Sequence, residues 1–161
     1  MTWSTDQLAD TAVEFGTTNA LGQVSPVQTV LAASHGVTLT GLAGNTTYYF
    51  RARSTNSGGG IGYSPVFSFT TLDTSGPVIS NIVATPSIGN TAVVSWTVSK
   101  PATTQVEYGL SATTYGWWSP QSTGTQTALG WVPSGTIHYQ VVSMDALGNK
   151  TVSADLTFLE P

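Results

Sequence analysis

Thr47-Tyr48-Tyr49-Phe50-Arg51-Ala52-Arg53-Ser54 sets Tyr48, Phe50, Ala52 and Ser54 against Tyr49, Arg51 and Arg53. Successive side chains of a strand point to opposite faces, so the stretch predicts a half-buried β-strand with long polar stems outside. The pattern returns 89 residues later as Thr136-Ile137-His138-Tyr139-Gln140-Val141-Val142-Ser143. Working outward, three more matches fall in the same order. Met1-Thr2-Trp3-Ser4-Thr5 pairs with Val94-Ser95-Trp96-Thr97-Val98, and Val13-Glu14-Phe15-Gly16 with Val106-Glu107-Tyr108-Gly109, both 93 residues apart. Phe67-Ser68-Phe69 answers Leu156-Thr157-Phe158. Ordered matches with small drift mean two copies of one module.

The boundary falls at Leu72-Asp73-Thr74-Ser75-Gly76-Pro77, where one strand ends and another starts at Val78. Pro77 fixes its own φ and biases Gly76 towards extended geometry. The modules are therefore residues 1–72 and 73–161. In each, short runs of Val, Thr, Tyr, Phe and Trp alternate with Gly, Pro, Asn and Ser. That texture predicts six or seven strands per copy, no helix, and an all-β chain of two tandem antiparallel β-sandwiches.

The residues Asp73-Thr74, Pro77-Val78-Ile79-Ser80-Asn81-Ile82, Val94-Ser95-Trp96-Thr97 and Thr104-Gln105-Val106-Glu107-Tyr108-Gly109 resemble the repeated fibronectin type III modules of bacterial and archaeal secreted proteins. In the first copy Ser34 to Leu42 and Thr46 to Arg51 are similar to the E and F strands of that family. The resemblance spans nearly the whole chain and implies an Ig-like fold. It is specific for fold and weak for function, because the module serves as spacer or adhesive unit in many proteins. Similar modules precede purple acid phosphatase-like metal enzymes, whose metal-binding sequence does not occur here. The resemblance further implies that Trp3 and Trp96 lie on strand B and fill the space between the sheets. Tyr48, six residues after Leu42, has the spacing of the family's tyrosine corner. In the second copy Ile137 stands in its place, and Trp131 is expected in the leucine pocket.

One departure matters. Val78 to Ala84 reads as strand A of the second copy, whereas Met1 of the first copy already stands in strand B. The first module is thus expected to lack strand A and to leave an unpaired edge along Met1, Thr2, Trp3, Ser4 and Thr5. Two readings stay open. The sequence is an excerpt of a longer chain, or the edge is a groove for a strand donated by another chain.

Charged residues make up 7% of the chain, against about a quarter in ordinary soluble domains. Hydroxyl and amide side chains wet the surface instead, a habit of exported microbial proteins. Four basic residues and a net charge of −4 exclude a nucleic-acid face and disfavour anionic membranes. No apolar run is long enough for a membrane span, and no signal peptide is evident. The absence of cysteine excludes disulfides and thiolate chemistry.

Eight carboxylates and two histidines give no catalytic constellation. Asp6 and Asp10 read as a solvated pair in a B–C turn, and Glu14 and Glu107 as outward residues of strand C. His35 is placed before strand E and His138 on the outer face of strand F, in different modules. Gly58-Gly59-Gly60 has no Lys-Ser/Thr after it and reads as a flexible F–G loop. No enzyme, cofactor or metal site is therefore expected.

Two features carry candidate contacts. Tyr115-Gly116-Trp117-Trp118-Ser119-Pro120 sets adjacent aromatics after strand C of the second copy. Neighbours on a strand face opposite ways, so one Trp could stack on a sugar ring or on another protein while both could equally pack under the loop. Asn45-Thr46-Thr47 and Asn149-Lys150-Thr151 are N-glycosylation triplets in loops. The expected role is a noncatalytic spacer or adhesion pair of a larger secreted or surface protein. The alternatives are a filament subunit joined by strand donation to identical subunits, and a carbohydrate-binding module whose partner is a polysaccharide.

Overall fold

The structure is a computed structural model describing residues 1–161. It is all β, and no helix in it is long and apolar enough to cross a membrane. The chain divides into two compact units, Met1–Asp73 and Thr74–Pro161. Each is built from antiparallel strands alone.

Unit 1 opens on β1 (Thr2–Gly16), followed by β2 (Gln23–Val24), β3 (Gln28–Gly36), β4 (Thr47–Thr55), β5 (Ile61–Tyr63) and β6 (Phe67–Thr70). The expected B–C turn is absent. β1 runs unbroken through it, with register shifts between Ser4, Ala9 and Thr11. Its first half pairs with β3 (Thr2↔Gly36, Trp3↔His35, Ser4↔Ser34). Its second half pairs with β4 on one side and β2 on the other. One strand therefore belongs to both layers. Asp10 does not join Asp6 in a solvated turn, because its Oδ1 accepts the Thr55 amide at 2.6 Å.

Unit 2 comprises β7 (Ile79–Ser87), β8 (Thr91–Val98), β9 (Thr103–Gly109), β10 (Trp117–Trp118), β11 (Gln126–Leu129), β12 (Gly135–Met144), β13 (Lys150–Val152) and β14 (Leu156–Glu160). Three strands in the order β11-β8-β7 face the sheet β10-β9-β12-β13, to which β14 adds beside β12. Between them Val94, Trp96, Val106, Leu129, Ile137 and Val141 close a core that is almost wholly shut from solvent. Alternation on β8, β9 and β12 brings these residues to one side. Ile79, Ile82 and Ala84 of β7 pack against the same cluster.

Both copies of the tetrad end in glycine for one reason. The chain folds back after it so closely that a Cβ at Gly16 would run into the Leu21 carbonyl, and one at Gly109 would lie 2.9 Å from the Thr114 carbonyl.

The tyrosine corner forms as its spacing implies: the Ala43 amide donates to the Tyr48 hydroxyl at 3.1 Å. Trp131 departs from expectation. It is 53% exposed, and Leu129 and Val132 fill the interior instead. Its backbone explains the placement, because the Tyr108 hydroxyl donates to the Trp131 carbonyl at 3.0 Å. A tyrosine on β9 thus ties down the crossing loop that Tyr48 of β4 secures in unit 1.

The F–G loop of unit 1 is ordered by a side chain. Asn56 Oδ1 accepts the amides of Gly58 (3.0 Å) and Gly60 (2.8 Å). Asp145, at the matching place in unit 2, accepts the amides of Leu147 and Asn149, both at 2.9 Å. A short polar side chain that mimics a turn is the common device.

Candidate partner-binding surfaces

Two surfaces collect the residues singled out by sequence: the open flank of β1 in unit 1 and the outer face of the β9–β12 sheet in unit 2.

On the first, Trp3 is half-buried rather than a closed core residue like Trp96. The difference lies in its surroundings. In unit 2, β8 has a neighbour on each side, β11 and β7. In unit 1 the first half of β1 pairs only with β3. The flank where β7 would lie is a groove of about 540 Å³, whose walls include Trp3, Thr5, Ala52, Ser54, Ile61 and Tyr63. Trp3 donates its indole N–H to Ser54 Oγ at 3.1 Å. Thr2 and Ser4 are exposed, and Met1 and Thr5 half-buried.

Behind Trp3 stands His35, inside β3 rather than before a strand. It is 5% exposed and stacks on Trp3 with centroids 5.1 Å apart. Nδ1 meets Thr11 Oγ1 at 2.7 Å and Nε2 meets Thr5 Oγ1 at 2.9 Å. Both ring nitrogens serve the fold. Sequence reasoning missed this because Thr29-Val30-Leu31-Ala32-Ala33 shows no apolar–polar alternation to mark β3.

On the second surface, Trp117 and Trp118 pair with Tyr108 and Glu107. Trp117 turns inward, stacked on Tyr108 at 5.9 Å and edge-on to Trp131 at 5.2 Å. Trp118 turns outward and is 58% exposed. It shares its row with Glu107, whose Oε2 accepts from Gln140 Nε2 at 2.6 Å. Two residues along β12, on the same face, His138 Nδ1 lies 2.8 Å from Asp155 Oδ2. Tyr115 donates its hydroxyl to Asp155 Oδ1 at 2.7 Å. Burial and the Asp155 carboxylate push the Tyr115 hydroxyl up to about 12. Burial pushes Asp155 up, but the His138 and Tyr115 hydrogen bonds outweigh it and hold the carboxyl below its ordinary value. A shallow dip of about 160 Å³ lies beside Glu107, between Gln105, Gln121 and Val142. Sequence placed Tyr115 here and His138 on the outer face of its strand, but not Asp155, which links the two.

The corresponding row of unit 1 carries charge. Glu14 lies opposite Arg51, with 2.7 Å between carboxylate and guanidinium, and Arg51 covers the Tyr63 ring at 4.1 Å. Val24 takes the place of Trp118.

The glycosylation triplets differ in setting. Asn45 is exposed, in a turn with φ of 48°. Asn149 donates its side-chain amide to Asp145 Oδ2 at 3.0 Å. No group of three or more His, Asp or Glu side chains is placed to hold a metal ion.

Residues 1–71, which lie within unit 1, match the family model described as Purple acid Phosphatase, N-terminal domain. A search of the curated proteins finds no match. Among solved structures, the crystal structure of the chicken CNTN1 FN1-FN3 domains is similar over 96% of this chain, at 15% identity and a TM-score of 0.46. This chain spans 56% of that one's length.

Proposed function

We propose that the two units form a noncatalytic spacer or adhesion segment of a secreted or surface protein. One observation carries the reading: the polar groups that could do chemistry are spent on the fold. His35 is held through both nitrogens, Asp10 accepts a backbone amide, and Asp145 closes a turn. The scarcity of charge supports an exported setting. The match of residues 1–71 to a phosphatase N-terminal family supports a module carried beside other domains. The test follows from that match. The 161-residue chain is assayed for phosphate monoester hydrolysis with iron, zinc and manganese supplied, and its mass is measured by sedimentation. A monomer without turnover is expected. Turnover that follows the purified chain and the added metal overturns the reading.

A second reading rests on Trp118. An exposed indole beside a carboxylate and an amide has the parts of a sugar platform, a flat apolar face for the ring and polar atoms for its hydroxyls. A polysaccharide ligand would shift tryptophan emission, and Trp118→Ala would abolish the shift. Silence across a broad glycan panel retires this reading.

A further inference from the structure

We propose that the Trp118 platform selects a cationic amino sugar, a hexosamine unit with a free, protonated amine; this rests on the sugar reading of Trp118. Unit 1 shows what the same row of the sheet does when it is complete. There Glu14, Arg51 and Tyr63 close on one another: the guanidinium lies 2.7 Å from the carboxylate and 4.1 Å from the ring centroid. The matching residues of unit 2 are Glu107, Gln140 and Val152. The carboxylate is kept and the cation is gone. Gln140 gives Glu107 Oε2 a neutral N–H at 2.6 Å, and Oε1 accepts from no protein group. Lys150 lines the same dip but forms no ion pair with Glu107.

The aromatic face that accompanies the cation in unit 1 is present in unit 2 as well, on the other side of the carboxylate. Trp118 lies opposite Glu107, where unit 1 has Val24. Side chains directly opposite on paired strands have Cβ atoms about 4.5–5.5 Å apart, so one sugar residue reaches both. Its ring lies flat on the indole, and an amine on the ring edge donates a charge-assisted hydrogen bond to Glu107 Oε1. The negative face of the indole favours the same charge. Asp155, in the neighbouring row, is a poorer partner, because Tyr115 and His138 occupy one oxygen each. Beyond Glu107 the dip carries the side chains of Gln105 and Gln121, which suit the hydroxyls of a neighbouring unit. A neutral hexose would leave the carboxylate without a counter-charge, and an acidic sugar would be repelled by it.

The experiment follows tryptophan emission and binding heat of the 161-residue chain with three β-1,4-linked oligosaccharides of equal length. They differ only at C2, which bears a free amine, an N-acetyl group or a hydroxyl, and the pH is mildly acidic so that the amine is protonated. The amine form should bind about 10-fold more tightly than the other two, and the advantage should shrink in salt. Trp118→Ala should abolish binding of all three, and Glu107→Gln should make them equal. Gln140→Arg supplies from within the cation that unit 1 sets on Glu14, so it should also remove the preference, with the fold intact by circular dichroism. Asp6→Asn takes the same charge from an exposed site of unit 1 and should change nothing. Equal binding of the three sugars by the unsubstituted chain overturns the inference and leaves the sugar platform standing. Silence with all three retires the platform, and the inference with it. Equal weakening by Asp6→Asn would reduce the preference to overall charge, and tighter binding of a lysine-rich peptide, lost in Trp118→Ala, would make the ligand a basic polypeptide; either result overturns the inference.

Discussion

Trp3 and Trp96 hold the same place in two copies of one module, yet the first is half-buried and the second 2% exposed. The copies have taken different routes around this residue. Unit 2 shuts Trp96 in with β7 and an apolar cluster, and leaves its indole N–H buried without a partner. Its Thr104 and Ser143 hydroxyls meet each other at 3.2 Å. In unit 1 the matching Thr11 turns to His35, which frees the matching Ser54 to receive the Trp3 indole. In unit 1 a histidine and an indole N–H thus take up the two hydroxyls that unit 2 pairs with each other. Buried polar groups must find partners, and a half-open interior makes that easier to satisfy. The same sandwich can be stabilised by apolar closure or by a hydrogen-bonded interior.

The comparison sharpens first at the tryptophans. Trp96→Ala empties a closed core and should cost about 3–5 kcal/mol in denaturant unfolding. Trp3→Ala removes a partly buried ring and should cost about 2 kcal/mol. Equal losses would break the distinction between the units.

The next effect is confined to acid. The Lys100 ammonium and the Asn149 amide, with two backbone N–H groups, hold the Asp145 carboxyl well below the usual range against the burial that opposes them. A carboxyl depressed on folding adds stability above its unfolded value and loses it as pH falls towards the folded one. Thermal unfolding of unit 2 should therefore weaken as pH drops below about 4, the unfolded value of an aspartate. Asn56 at the matching place does not titrate, so unit 1 has no such loss from this turn. Asp145→Asn should lower the unit 2 transition at neutral pH and flatten its acid dependence. An unchanged acid slope in that variant would contradict the assignment.

The smallest effect is expected at the outer faces. Arg51→Ala breaks a partly exposed pair with Glu14, worth about 0.2–1 kcal/mol by double-mutant cycle, and the coupling should shrink in salt. Gln140→Ala at the matching place should show no salt dependence in its coupling to Glu107.

Much of the fold was legible because repeated spacing carries geometry. Tyr48 six residues after Leu42 implied the corner, and the shared Val-Glu-aromatic-Gly tetrad marked the strand that ends in a tight return. What failed was reading size as burial. Trp131 looked like the leucine's replacement because it is large and apolar, but Leu129, two residues earlier, has the inward register. β3 was misplaced because its apolar residues do not alternate: Val30 is 81% exposed. The His138–Asp155–Tyr115 cluster joins β9's return to β12 and to the loop before β14, and no local pattern announces a contact between residues 17 and 40 positions apart.

The claim that one copy is closed and the other open along β1 is tested most directly by native-state hydrogen exchange on the chain alone. Ser4 and Thr97 are counterparts, and both amides point to the side where a strand A would lie. Thr97 should be protected to nearly the full stability of unit 2, while Ser4 exchanges close to the rate of an unstructured amide. Comparable protection at both would mean that the flank of unit 1 is covered, and the open-edge account would fall.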